Sequence, residues 1–118
     1  MSKTYKLKWT LNAKEDLLNV VDYIKKDSLS ATRKAYEQIK EKAQSNNFFP
    51  LKGRVVPELQ KEGITIYREL IAQPYRIMYK IENDIVYIMA IFDSRQNVEE
   101  LLLQKLLRGH MLTNQRSQ

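Results

Sequence analysis

The chain has 118 residues, no cysteine, a single histidine and a formal net charge of +6. The length suits one domain. The lack of cysteine excludes disulfides and thiolate catalysis, and the lone histidine argues against a metal site or a Ser-His-Asp triad, so we expect no cofactor. No apolar run approaches the roughly 20 residues that span a bilayer, and the first residues lack a signal-peptide core. We therefore expect a cytoplasmic protein, whose pI near 9.5 leaves a polyanionic target open.

The first part of the chain predicts a strand and two helices. Residues 4–9 alternate polar and apolar side chains, as a short strand does. Asn12, with a glutamate three residues later, fits a capping box at the start of a helix over 12–27. Ser28 and Ser30 are candidate N-caps for a second helix over about 30–46. The short connection predicts that the two helices form an antiparallel hairpin.

The second part changes to the period of strands. Asn83 and Asp84 suit a two-residue hairpin turn, because both tolerate positive φ. Valine and leucine at helical spacing after the last strand predict a terminal helix, with Gly109 as its C-cap. The strands are predicted at 64–72, 75–82 and 85–92, with a short one at Val55-Val56, and the helix at about 96–108. These elements predict an α+β fold.

The turn at residues 83–84 sorts the side chains of its two strands into two faces. One face is nearly all apolar and should pack on the helical hairpin: Tyr75, Ile77, Tyr79, Ile81, Val86, Ile88, Ala90 and Phe92. The opposite face, here called the mixed face, carries Arg76, Met78, Lys80, Tyr87, Met89 and Ile91. A tight turn before residue 75 would add Tyr67, Glu69 and Ile71 to it. Arg68 would then lie on the core side, although a slip or a bulge would reverse that.

Several short motifs occur in a characteristic order. They are W-x-x-x-A-x-x-D-L from Trp9 to Leu17, Tyr23-Ile24, Gly53-Arg54 with Pro57-Glu58-Leu59, Tyr67-Arg68-Glu69-Leu70, Tyr75-Arg76-Ile77 followed by Tyr79, and Phe92 to Asn97. Over residues 5–108 this string resembles the RelE/ParE superfamily of bacterial type II toxin–antitoxin toxins. The resemblance implies a small twisted antiparallel sheet packed on the helical hairpin, with a C-terminal helix. It also implies one toxin domain over 1–109, a flexible tail over 110–118, and a cognate antitoxin.

Superfamily members differ in mechanism. RelE-like members cut mRNA in the ribosome without a metal, with basic side chains on the scissile phosphate, whereas ParE-like members poison DNA gyrase by binding. Arg76 and Arg95 match two arginines of the RelE-like site. Glu69 stands where a lysine is expected, Leu101 where a tyrosine is expected, and Asp93 where either subfamily often has a histidine. A ParE-like gyrase poison is therefore favoured, with a ribosome-dependent endonuclease and a non-toxic antitoxin-binding module as alternatives.

Each candidate catalytic residue has a structural alternative. In a nuclease, Arg76 and Arg95 would bind the phosphate and Glu58 would be a general base. Tyr67 and Tyr87 are the two tyrosines that are candidates for stacking on a base or transferring a proton. Otherwise Arg76 pairs with Glu69 across the hairpin, Arg95 pairs with Asp93 or Glu99, and Glu58 is a loop carboxylate bound to an arginine.

Four arginines are candidates for binding an anion or a target: Arg54, Arg68, Arg76 and Arg95. Of these, Arg54 is equally suited to tethering its own loop. Arg68, if it lies on the core side, is expected to form an internal ion pair with Glu58 or Glu69.

The mixed face also predicts a protein interface. An exposed apolar strip flanked by charge usually marks one, and the candidates for antitoxin binding are Met78, Tyr87, Met89 and Ile91. The expected partner is a small acidic antitoxin that covers this face and the C-terminal helix.

Overall fold

A computed structural model describes residues 5–26, 28–45 and 52–107 of the chain. The elements in chain order are β1 (Lys6–Trp9), α1 (Leu11–Lys25), α2 (Leu29–Gln44), β2 (Arg54–Val55), α3 (Pro57–Gln60), β3 (Arg68–Ala72), β4 (Tyr75–Glu82), β5 (Ile85–Asp93) and α4 (Val98–Leu107). The C-cap predicted at Gly109 and the tail predicted over 110–118 lie outside the described residues.

The two N-terminal helices form the predicted hairpin, but the first has a different cap. Thr10, not Asn12, is the N-cap of α1, and its hydroxyl accepts a hydrogen bond from the Ala13 amide at 3.2 Å. Asn12 lies inside the helix, and its side chain donates a hydrogen bond to the Met89 carbonyl instead. Of the two candidate caps for α2, Ser28 is the one used, and its hydroxyl accepts a hydrogen bond from the Ala31 amide at 3.1 Å.

Within the described residues, the sheet has five strands in the order β1-β5-β4-β3-β2. Strands β2 to β5 pair with one another in an antiparallel arrangement, as predicted. Strand β1 instead lies parallel to β5, which makes the sheet mixed. The helical hairpin and strands β2 to β4 all lie between β1 and β5 in the chain, and they provide the long connection that a parallel pair requires. The predicted α+β class is confirmed, with one parallel edge strand added.

The β4–β5 turn forms where the sequence predicts it. Asn83 and Asp84 have φ values of 52° and 64°, and Glu82 lies opposite Ile85. Two positive φ values in succession define the type I′ geometry that matches the strand twist. Strand β3 begins only at Arg68, four residues later than predicted. The short helix α3, which begins at Pro57, was not predicted.

A β-bulge in β5 changes the predicted faces. Met78 lies opposite Ala90 while Tyr79 lies opposite Ile88, so Met89 is an extra residue between them. Beyond the bulge the alternation of β5 reverses. Ala90 and Phe92 therefore belong to the mixed face, and Ile91 belongs to the face that packs on the helical hairpin.

Both faces of the sheet are buried, which the sequence did not predict. The hairpin-side core contains Ala13, Leu17, Ala35, Ile39, Ala43, Leu70, Ile77, Tyr79, Val86, Ile88 and Ile91 among others. A second core forms on the mixed face from Val56, Leu59, Tyr67, Met78, Met89, Ala90, Phe92, Val98 and Leu102. Helices α3 and α4 supply its outer layer. The mixed face is thus a packed interior over much of its length.

Candidate functional site

The arginine of strand β4 lies in a cluster of paired charges. Arg76 donates from Nη1 and Nη2 to the two carboxylate oxygens of Glu58 at 2.8 and 2.6 Å, and from Nε to Glu69 Oε1 at 2.7 Å. The Arg76 and Glu69 side chains are only 9% and 2% exposed. Bidentate pairing with a planar guanidinium is a strong form of charge-assisted hydrogen bond. The pairing with Glu69 agrees with the structural alternative for Arg76.

The cluster is completed by the arginine of strand β2. Arg54 Nε donates to Glu69 Oε2 at 2.6 Å, so the buried carboxylate of Glu69 lies between two guanidinium groups. Two positive and two negative charges cancel within Glu58, Arg76, Glu69 and Arg54. The hydrogen bonds that Glu58 accepts from Arg76 lower the pKa of Glu58, and the hydrogen bonds that Arg76 donates to the two carboxylates raise the pKa of Arg76. Glu58 and Arg76 therefore remain charged and paired near neutral pH.

Local structure explains why Glu58 reaches Arg76. Pro57 suits the first position of a helix, since its missing N–H has no intrahelical partner there. Val56 and Leu59 are buried in the second core on either side of Glu58 and fix α3 against the sheet. The carboxylate of Glu58 is thereby held over β4.

Arg68 has a different partner from the one predicted. It lies opposite Tyr79, which belongs to the hairpin-side core, so its core-side location is confirmed. The expected ion pair with Glu58 or Glu69 is wrong. Arg68 Nη1 donates instead to the Gly53 carbonyl at 2.7 Å.

Gly53 is held so tightly that a side chain would not fit. Its amide donates to the Tyr79 hydroxyl at 3.1 Å. A Cβ atom there would approach both the Glu69 carbonyl oxygen and the Tyr79 hydroxyl to 2.4 Å. Glycine at this position lets the loop before β2 lie directly on the sheet.

Arg95 is exposed and paired within its own turn. Its Nε donates to Asp93 Oδ1 at 2.8 Å, while the side chain remains 66% exposed. The Asp93 pairing considered from the sequence is the one that forms. Glu99 pairs with Lys61 at 2.9 Å instead. Arg95 takes no part in the cluster around Arg76.

The two candidate tyrosines differ in access. Tyr67 is 4% exposed in the second core, and this burial raises its pKa. A buried phenol with a raised pKa is poorly suited to stacking on a base or to accepting a proton near neutral pH. Tyr87 packs against the same core but is only partly buried.

The candidates for antitoxin binding are mostly buried. Met78, Met89 and Ile91 are 1%, 0% and 5% exposed, so the expectation of an exposed apolar strip is wrong for them. The reasons are the cover of α3 and α4 and the bulge that turns Ile91 toward the hairpin. A partner could touch Met78 or Met89 only if the packing of the second core opened. Contact with Tyr87 remains a prediction.

A polar cluster at the bulge was missed from the sequence. Asn12 Nδ2 donates to the Met89 carbonyl at 2.7 Å, and the Ile91 amide donates to Asp16 Oδ2 at 2.9 Å. From α4, Lys105 Nζ donates to Asn12 Oδ1 at 2.9 Å and to Asp16 Oδ1 at 3.2 Å. Burial raises the pKa of Asp16, and Lys105 opposes that shift. The sequence signal that could have indicated this cluster is the four-residue spacing of Asn12 and Asp16, which places both on one helix face.

The cluster borders a groove between α1, the end of β5 and α4. The groove has a volume of about 790 Å³, and Tyr23, Tyr75 and Arg95 also line it. Within the described residues, no three His, Cys, Asp or Glu side chains are grouped so as to hold a metal ion. Across that same part of the chain, no helix has the length and apolarity needed to cross a membrane.

Two solved structures share the architecture of this chain. The chromosomal ParDE toxin–antitoxin system from P. aeruginosa gives a TM-score of 0.63 at 22% identity, covering 76% of this chain and 96% of the matched one. The toxin–antitoxin complex RelBE2 from Mycobacterium tuberculosis gives a TM-score of 0.56 at 20% identity, covering 77% of this chain and 92% of the matched one. The fold is therefore that of the RelE/ParE superfamily.

The sequence gives the narrower assignment. Residues 7–98 match the family model described as the ParE toxin of the type II toxin–antitoxin system parDE. The chain belongs to this ParE toxin family. Among curated protein sequences, none matches it significantly. The resemblance inferred from the motif string is thus confirmed.

Proposed function

We propose that this type II toxin arrests growth by binding its target, without cutting mRNA itself, and that DNA gyrase is the target. The observation that carries the proposal is the pairing of Arg76 with Glu58 and Glu69, at 2.6 to 2.8 Å. A side chain that holds a scissile phosphate must offer positive charge to it. Here the two carboxylates already occupy the guanidinium and would repel the phosphate.

The other candidate catalytic groups support the same proposal. Arg95 is neutralised by Asp93, and Tyr67 is buried with a raised pKa. Glu58 has a lowered pKa and accepts two hydrogen bonds from Arg76, which makes it a poor general base. None of these groups combines access with suitable charge for transferring a proton at a ribose.

A cognate antitoxin is part of the proposal. Both solved neighbours are described as toxin–antitoxin systems or complexes, and the family model is that of a toxin in such a system. A net charge of +6 favours an acidic partner. The predicted cytoplasmic location belongs here as well, because gyrase and ribosomes both work in that compartment.

Inducible expression of the chain without a partner tests the proposal. Growth, a DNA-damage reporter and mRNA integrity are followed together. We expect arrest with a DNA-damage signal and intact mRNA. Arrest with rapid mRNA cleavage would contradict binding without cutting and would favour the endonuclease. Normal growth with soluble, folded protein would leave an antitoxin-binding module.

The Arg95→Ala variant separates the two toxic mechanisms. Arg95 is exposed, so its removal should leave the fold intact. If the chain were a nuclease that uses Arg95 on the phosphate, the Arg95→Ala variant would no longer cut mRNA. The control variant Arg33→Ala, on the exposed surface of α2, would still cut it. Under our proposal mRNA stays intact in both variants and in the unmodified chain.

A further inference from the structure

The half of the mixed face nearest the β4–β5 turn carries a tyrosine flanked by two lysines. Tyr87 of β5 lies opposite Lys8 of β1 on one side and opposite Lys80 of β4 on the other. Leu7 and Trp9 pack on the hairpin-side core, so alternation along β1 places Lys8 on the mixed face with Tyr87. The register therefore sets one aromatic ring between two lysines across neighbouring strands.

Lys80 is a largely buried lysine with one distant partner. Met78, two residues before it on β4, belongs to the second core, so Lys80 faces the same side of the sheet. The Lys80 side chain is 11% exposed, and its Nζ lies 3.4 Å from Oε2 of Glu82, whose side chain is 47% exposed. Among the described residues this is the only ion pair of Lys80. The ammonium group therefore lies where the mixed face meets solvent, with donors left for a bound anion.

Positive charge dominates this part of the face. Within the described residues, strands β1, β4 and β5 contribute to it Lys6, Lys8 and Lys80, against the one carboxylate of Glu82. Lys6 and Lys8 are exposed, and neither forms an ion pair with another described residue. Tyr87 is only partly buried, and its hydroxyl has no hydrogen-bond partner in the described part of the chain. A partly open aromatic ring between cations suits a ligand that has both a planar ring and negative charge.

We propose that this patch binds a single strand of nucleic acid, with an unpaired base stacked on Tyr87 and its phosphates beside Lys8 and Lys80. Stacking of bases on aromatic side chains, together with cations along the backbone, is how proteins bind single strands without reading their sequence. The patch lies apart from the neutral cluster, because Lys80 is four residues along β4 from Arg76, about 13 Å away. A strand bound here is therefore held without contact to Arg76.

The source of the strand rests on the function proposed above. Because gyrase acts on DNA, the strand would be DNA bound in the gyrase complex, and the toxin would contact the enzyme and its DNA together. An antitoxin that covers Tyr87 would then compete with the strand for the same ring.

The fluorescence anisotropy of a short dye-labelled oligothymidylate, titrated with the full chain, tests the patch. We expect saturable binding that weakens with added salt. An abasic strand of the same length keeps the phosphates but offers no base to stack, and it should bind about tenfold more weakly. Equal binding of the two strands, or of neither, would overturn the proposal. Displacement of the oligonucleotide by polyglutamate of equal charge would indicate a site for acidic peptide and would overturn it as well.

Matched variants localise the binding. Tyr87→Leu removes the stacking ring and should weaken binding about tenfold, whereas Tyr36→Leu removes an exposed ring on α2 and should not weaken it. Lys8→Gln should reduce the slope of log affinity against log salt concentration by about 0.7, whereas Lys34→Gln on α2 should leave the slope unchanged. Because Lys8 is exposed, its variant remains informative even if Tyr87→Leu disturbs the fold. Equal effects of the two lysine changes would contradict a site at Tyr87.

Inducible expression separates this site from the proposed function. If the unmodified chain causes DNA damage and a folded Tyr87→Leu variant causes equal damage, the patch is not used at the target. Tighter binding of oligouridylate than of oligothymidylate would likewise overturn the assignment of the strand to DNA. If the unmodified chain causes no DNA damage, the proposed function fails, while the oligonucleotide titration still decides whether the patch binds a single strand.

Discussion

At the scale of single residues, the partners of an arginine decide its role. Arg76 and Arg95 both match arginines of the RelE-like site in sequence, yet one is buried in a neutral cluster and the other is exposed in a turn. The same residue type therefore stabilises tertiary structure in one case and stays at the surface in the other.

We predict that Arg76→Ala lowers the free energy of unfolding by about 3 kcal/mol, because it leaves the buried Glu69 and the partly buried Glu58 without their main cation. Urea unfolding followed by circular dichroism measures the change. The control is Arg95→Ala. Because the pair of Arg95 with Asp93 is exposed, its loss should leave the urea midpoint unchanged. Equal losses in both variants would show that burial of the cluster does not determine stability.

At the scale of elements, the C-terminal helix is attached to the sheet by a specific polar contact. Val98 and Leu102 of α4 are buried in the second core, and Lys105 binds Asn12 and Asp16 of α1. The bulge in β5 is what leaves the Met89 carbonyl and the Ile91 amide available to α1. The position of α4 thus depends on residues far apart in the sequence.

We predict that Lys105→Met loosens α4 selectively. Methionine keeps much of the apolar stem but removes the ammonium group and leaves Asp16 without it. Hydrogen exchange should become faster in α4, while the central strands β4 and β5 keep their protection. Lys61→Met removes the exposed pair with Glu99 and serves as the control. Uniformly faster exchange would indicate loss of global stability instead.

At the scale of the whole molecule, buried carboxylates make stability depend on pH in opposite directions. The pKa of Glu58 is lowered by Arg76, so its contribution is present above its ordinary value of 4.5 and is lost as the pH falls through its lowered pKa. The pKa of Asp16 is raised by burial, so the folded state takes up its proton more readily. Its contribution to stability increases as the pH falls.

We predict that Glu58→Gln is less stable than the unmodified chain at neutral pH but loses less stability on acidification. Asp16→Asn should show the opposite change in slope, because it should lose more stability on acidification than the unmodified chain. Urea unfolding from neutral pH to about pH 3 gives both slopes. Parallel curves for all three proteins would contradict the shifts in pKa assigned to Glu58 and Asp16.

Features encoded by neighbouring residues could be predicted from the sequence. The type I′ turn at Asn83 and Asp84, the helix start at Ser28 and the full extent of β4 all follow from local turn, cap and period rules. The toxin family also follows from short motifs in order, because each motif is local. The location of Arg68 on the core side followed from alternation across a correctly placed turn.

Only the tertiary structure decided features that depend on contacts between distant segments. The bulge at Met89 reverses the facing of Phe92 and Ile91, and no local pattern marks it. The parallel docking of β1 on β5, the cover of α4 on the mixed face and the pairing of Arg76 with Glu58 join residues far apart in the chain. The sequence by itself determined most of the elements and the family. Packing decided which charges are neutralised and which surfaces stay open, because burial and pairing depend on what lies nearby in space.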